Sequence, residues 1–162
     1  MKTLKFVSMG LVAFAIFGLM AFGQQGQTQE KKVDHMEHNA IMQECAKACS
    51  DCQRACDLCA THCAHMLNEG KKEHLTTLAT CRDCATVCSA AAQIVARGGP
   101  FAGLICESCA KACGQCATAC EAFPDDEHMK ACAEECRKCE KACQAMTKHM
   151  ASKHEKAEKE SK

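Results

Sequence analysis

An all-α fold, an antiparallel up-down-up-down four-helix bundle with a cysteine-lined core, follows from three features of this 162-residue sequence. Its 18 Cys recur at intervals of three and four, its body is built of strong helix formers broken at three turn signals, and it lacks both Trp and Tyr. From residue 24 onward, five Leu, three Ile, three Val and two Phe stand against those 18 Cys. Cysteine must therefore take core positions that leucine normally fills. That exchange costs packing, because each buried methylene carries about 0.8 kcal/mol and a thiol is small. Something besides apolar burial should hold the interior together.

Residues 1–23 place Lys2 and Lys5 before an apolar run from Phe6 to Phe22 and end on Ala21-Phe22-Gly23. This is the layout of a Sec-type signal peptide cleaved after Gly23. The run of 17 residues is at the lower limit for a bilayer span, no Cys at its end offers a lipid anchor, and no Arg pair precedes it. The expectation is an exported, periplasmic protein with no stable membrane association after leader cleavage. Its thiols would meet metal in a compartment where bare thiols oxidise.

Residues 24–34 read as a flexible linker and 154–162 as a charged tail, leaving 35–153 for a four-helix metal-binding domain. Turn signals fall at Asn68-Glu69-Gly70, Gly98-Gly99-Pro100 and Phe123-Pro124-Asp125-Asp126. They divide the domain into segments of about 35–67, 71–97, 101–122 and 126–153, each rich in Ala, Lys, Glu, Gln, Met and Leu with no internal Pro. Gly70 is a candidate C-terminal cap, and Asp125 or Asp126 caps the last helix before Glu127. Such short connections make consecutive helices antiparallel neighbours.

The cysteines fall into four runs: Cys45, Cys49, Cys52, Cys56, Cys59 and Cys63; Cys81, Cys84 and Cys88; Cys106, Cys109, Cys113, Cys116 and Cys120; Cys132, Cys136, Cys139 and Cys143. All 14 intervals within the runs are three or four. At 3.6 residues per turn, the six thiols of the first run lie inside an arc of roughly 80° along roughly 27 Å of helix. These are the a and d positions that face a bundle axis. Four such stripes would enclose a tube of sulfur.

Thiolates select copper(I), zinc and iron–sulfur clusters. Copper(I) accepts two sulfurs in near-linear array, so a pair four residues apart can hold it without a loop. If each ion takes two sulfurs and each sulfur serves two ions, capacity approaches one copper per cysteine, which is bulk storage. Zinc prefers discrete tetrahedral sites, usually on CxxC pairs presented by turns; six CxxC pairs occur here, but eight CxxxC pairs alternate with them. The ferredoxin cysteine run and CxxCH are both absent from the sequence. A scaffold of disulfides is the bland alternative for an exported chain with an even number of cysteines. Thiols adjacent on one helix stand side by side, however, and would bridge only with strain.

Beyond the cysteines the same register continues through Met42, His38 and His35 at one end of the first segment and through Met146 and Met150 in the last. An antiparallel bundle brings these together at one end, the candidate mouth for metal. Met66, His74 and Met129 collect at the opposite end with Phe123, which could plug it. His62, His65, His128, His149 and His154 fall off the stripe.

The repeated CxxxCxxC pattern from Cys45 to Cys63, Cys81 to Cys88, Cys106 to Cys120 and Cys132 to Cys143 resembles that of the bacterial copper storage proteins, over about residues 35–150. The resemblance implies copper(I) held mostly by cysteine pairs, a His and Met rich mouth and a homotetramer. The missing twin arginines depart from the exported branch of that family. Zinc or general soft-metal buffering, as in a metallothionein, and copper chaperoning are the other functional readings. A chaperone hands over one ion from a shallow site, a task out of proportion to 18 thiols.

Lys plus Arg and Asp plus Glu number 20 each, and the charges interleave along the helices, so no nucleic-acid footprint is expected. No phosphate-binding glycine loop is present, and a thiol nucleophile would need one distinct Cys with a placed His. The chain does not read as an enzyme.

Overall fold

The computed structural model describes residues 14–161, with side chains from His35 to Lys159 and at Ser161. Helix α1 spans Phe14–Asn68, α2 Leu75–Ala96 after a 3-10 turn at Lys72–His74, α3 Ala102–Glu121 and α4 Glu127–Glu160. The chain divides into two units, Met1–His38 and Asn39–Lys162. In the first unit, residues 14–38 are helical, and the second unit holds the cysteines.

The helix ends use the turn chemistry expected of them. At Gly70, with φ of 88°, Lys71 N donates to Met66 O over 3.0 Å and Gly70 N to Leu67 O over 2.9 Å. At Gly98, with φ of 62°, Gly99 N donates to Ile94 O over 3.0 Å and Gly98 N to Val95 O over 2.9 Å. Both are Schellman closures, and both need a residue free to take positive φ. Asp126, rather than Asp125, caps α4: its Oδ1 accepts from His128 N at 2.9 Å and Met129 N at 3.2 Å.

Two stretches depart from the sequence reading. Residues 24–34 and 154–160 are helical, where a flexible linker and an unstructured tail were expected. The first is rich in Gln, the second in Glu and Lys, and neither contains proline, so polarity there does not argue against helix.

Sulfur contacts fix the topology. Cys45, Cys49, Cys52, Cys56 and Cys59 of α1 approach Cys106, Cys109, Cys113, Cys116 and Cys120 of α3 in ascending order, so these helices run parallel. Cys49 meets Cys143 while Cys56 meets Cys136, so α4 runs against α1. Cys81 meets Cys120 while Cys88 meets Cys109, so α2 runs against α3. This is the up-down-up-down order.

Every cysteine is buried, together with Met42, Met129, Met146, Val95 and a set of alanines such as Ala46, Ala85, Ala110 and Ala133. The alanines flank the cysteine stripes and let the backbones approach. Large aliphatics are displaced outward: Leu58 is 70 % exposed and Leu104 66 %. On α4, Arg137 grips Glu121 of α3 through Nε at 2.9 Å and Nη2 at 2.8 Å, and also reaches Glu140 at 3.0 Å. This two-pronged clamp joins α3 to α4 across the surface. Lys111 with Glu107, by contrast, is an exposed pair within one helix and adds little to stability.

Candidate metal centre

Helical periodicity turns all four cysteine runs toward one axis, and the resulting distances show how densely sulfur fills it. Cys45 and Cys106 lie 3.6 Å apart, Cys52 and Cys113 3.8 Å, and Cys56 and Cys116 3.9 Å, although they belong to helices on opposite sides of the bundle. Neighbouring helices come as close: Cys49 to Cys143 is 3.5 Å, Cys52 to Cys136 3.6 Å, Cys88 to Cys113 3.5 Å and Cys81 to Cys116 3.6 Å. All 18 are free thiols. Sets of four from several helices have every Sγ within 4.8 Å of the others, among them Cys59, Cys81, Cys120 and Cys132.

Packing thiols this tightly makes each one's charge depend on its neighbours. Cys113 and the other thiols around Cys109 stabilise a thiolate there, which lowers its pKa, and that same contact with Cys109 pushes Cys113 up. One sulfur carries charge while the next keeps its proton. At the far end of the row, burial pushes the Cys63 thiol up to about 11. Among the described residues the only buried polar or charged side chains are His74 and Thr77, so no Lys or Arg is there to balance a row of thiolates. A thiol in this core therefore either keeps its proton or gives it up to a bound cation.

The Cys63 thiol ionises near its ordinary value of 9.0 in the unfolded chain but near 11 in the fold. Its contribution to stability is therefore complete below pH 9.0 and lost as pH climbs toward 11. Denaturant unfolding of the reduced, metal-free protein is expected to show falling stability over that window, and a flat profile would refute it.

Met42 and Met146 are buried and Met150 packs against the core. A Cβ added at Gly98 would lie 3.5 Å from Met42 Cε, and one at Gly103 3.6 Å from Met150 Cβ. Those two thioethers thus sit at the end of the bundle formed by the α2–α3 turn and the start of α3. His35 and His38 belong to the unit Met1–His38, where His35 is exposed and His38 half-buried.

The opposite end holds groups that the register argument passed over. His62 Nε2 meets Asp126 Oδ2 at 2.7 Å, and the His62 ring stacks on His128 with centroids 4.5 Å apart. His74 is buried and stacks on Phe123 with centroids 4.3 Å apart. Cys59 Sγ donates to Met129 Sδ at 3.3 Å. Partial burial resists charge on Asp126. His62 and the N–H groups of Met129 and His128 outweigh that resistance and hold the carboxyl below its ordinary 3.8. A cavity of about 610 Å³ opens here, lined by His62, Met66, Phe123, Pro124 and Asp126 among others. His62 and His128 each stand one residue before a stripe position, Cys63 and Met129. That adjacency at a helix end was the signal available for finding them.

The sequence profile of the copper storage protein family matches residues 38–148. The chain belongs to the copper storage protein family. Its fold is similar to a cytosolic copper storage protein from Streptomyces lividans loaded with five coppers. There the TM-score is 0.63 at 30 % identity, over 68 % of this chain and 94 % of the other. A Cu(I)-bound copper storage protein, BsCsp3, matches with a TM-score of 0.60 and 32 % identity over 66 % of this chain and 98 % of that one. An uncharacterized cysteine-rich protein of Bacillus subtilis, YhjQ, is 36 % identical over 88 residues, which are 54 % of this chain and 78 % of the relative.

The buried sulfur axis is thus a copper(I) store of the kind this family builds. One expectation is corrected. The exported, periplasmic location read from residues 1–23 is overturned by the match to a cytosolic family member. An apolar run beside helix formers is as well suited to a long helix as to a leader. Lys2, Lys5 and the first half of the apolar run lie outside the described residues. Among the described residues, no helix is long and apolar enough to cross a membrane.

Proposed function

We propose that the domain within residues 35–153 accumulates copper(I) to nearly one ion per cysteine, acting as a bulk store. The observation that carries this is charge. Eighteen buried thiols have no buried cationic side chain beside them among the described residues, and a monovalent ion that replaces the proton of each one leaves the core neutral. Soft sulfur donors prefer soft copper(I), which adds selectivity to that balance. Anaerobic titration of the reduced protein against a competing copper(I) chelator is expected to show uptake of well over ten ions. Saturation after one or two would sink the storage reading.

We further infer that Met42, Met146 and Met150 admit the ion at their end of the bundle. His35 and His38 stay candidate donors on the sequence register alone. A second reading places admission at the opposite end, where the open cavity combines the imidazole of His62, the thioether of Met66 and the carboxylates of Asp125 and Asp126. Substitution of Met42 and Met146 by Leu keeps their volume. If those thioethers admit copper, this pair slows stopped-flow uptake several-fold while His62→Ala with His128→Ala leaves it unchanged. The reverse result selects the second reading.

Self-association into a homotetramer is the oligomeric state we propose. Leu58, Leu104 and Phe101, each at least 64 % exposed, are the apolar groups it would cover. Sedimentation equilibrium should return four times the chain mass, and a monomer at micromolar concentration would rule it out.

A further inference from the structure

Close-packed sulfurs leave tetrahedral holes between them, and the size of those holes identifies a second cargo. Zinc bonded to four thiolates at about 2.3 Å places the sulfurs about 3.8 Å apart along each edge of a regular tetrahedron. Cys49, Cys109, Cys139 and Cys143 meet that requirement: five of their six edges measure 4.0, 3.5, 3.7, 3.9 and 4.0 Å. All four sulfurs lie within 4.8 Å of one another, which bounds the sixth edge.

Two further quartets share no residue with this one or with each other. Cys52, Cys84, Cys88 and Cys113 form the second, with edges of 3.8, 3.9, 3.8 and 3.5 Å. Cys56, Cys116, Cys132 and Cys136 form the third, with edges of 3.9, 3.6 and 3.9 Å. A linear two-coordinate ion with bonds of similar length needs sulfurs roughly 4.6 Å apart, wider than every edge given above. Those sulfur spacings suit a four-coordinate ion.

We propose that the copper-free protein holds zinc(II) in these three cages, one ion in each, and that copper(I) displaces it. Zinc in a cage of four thiolates leaves two negative charges in a core with no buried Lys or Arg among the described residues. Four copper(I) ions on the same four thiolates leave none. The exchange balances: a cage with charge minus two takes four copper(I) ions, becomes neutral and releases one zinc(II). Zinc thus covers twelve thiols while copper is scarce and leaves when copper arrives. The zinc cages rest on the sulfur geometry alone, and the displacement step rests on the copper-storage reading.

The test uses reduced full-length protein, zinc chloride under anaerobic conditions and a chromogenic zinc chelator as competitor. Three zinc ions per chain should resist the chelator. Cys109→Ser should retain two, and Cys88→Ser should also retain two, with circular dichroism confirming that each variant folds. Copper(I) added to the zinc-loaded protein should release three zinc ions. Retention of fewer than one zinc per chain, or an unchanged count in both variants, overturns the proposal. Copper uptake near one per thiol in that same preparation would leave the storage reading intact, so the two failures are distinguishable.

Discussion

Loading the reduced protein with copper(I) is expected to raise its melting temperature by about 25 °C or more. The metal-free core buries thiols, alanines, three methionines and one valine, with Leu58, Leu75 and Leu104 left outside. Little apolar area supports it. A ligand that binds only the folded state at a hundred times its Kd adds about 2.7 kcal/mol. Three such ions would add about 8 kcal/mol, comparable to the whole stability of an ordinary domain. For a chain of this size each kcal/mol moves the melting temperature by about 3 °C. Differential scanning calorimetry under anaerobic conditions reads this directly. A loaded protein that melts where the reduced one does would mean that the sulfur axis contributes nothing to the fold.

What the sequence could reveal tracks how local each signal is. The stripe of Cys45, Cys49, Cys52, Cys56, Cys59 and Cys63 carries the helical period in its spacing, so its inward direction was legible, whereas the particular sulfurs it meets on other helices depend on how the helices are offset along the axis. Gly70 was legible for the same reason, since caps are read from a few adjacent residues, and the α4 cap was narrowed to Asp125 or Asp126. The helicity of residues 24–34 was hidden because polar composition was read as flexibility, although Gln, Glu and Lys favour helix. His62 and His128 were missed because each sits off the stripe, and only the turn at Phe123 to Asp126 brings them together. The leader-like start misdirected the choice of compartment, since an apolar run at a chain start has more than one use.

The two ends of the sulfur axis carry different chemistry because different constraints apply there. In the middle, every helix supplies a thiol at each level and sulfur meets only sulfur. At the ends the chain must turn, and the turns bring their own residues: Gly98 beside Met42 at one end, Asp126 beside His62 at the other. If copper enters past Met42 and Met146 as proposed, these weaker, neutral donors hand the ion on to thiolate, because each inward step gains charge neutralisation. Bulk storage then belongs to the middle of the register and the proposed directional loading to its limits.

That register also predicts unequal losses from identical substitutions. Cys113 touches Cys52 at 3.8 Å, Cys84 at 3.8 Å, Cys88 at 3.5 Å and Cys109 at 3.9 Å, sulfurs from three helices including its own. Ions shared among these partners all lean on it. Serine offers a hard, un-ionised oxygen that soft copper(I) disfavours. Its hydroxyl can still donate to the carbonyl four residues back, so the fold should survive at a cost of about 1 kcal/mol. Cys113→Ser is therefore expected to remove two or more copper(I) ions. Cys63→Ser, at the end of its run, should remove no more than one. Copper counted per chain after gel filtration of each loaded variant decides the matter. Equal losses at the two positions would mean that each thiol binds its own ion and that sulfurs are not shared, which would leave bulk capacity without its physical basis.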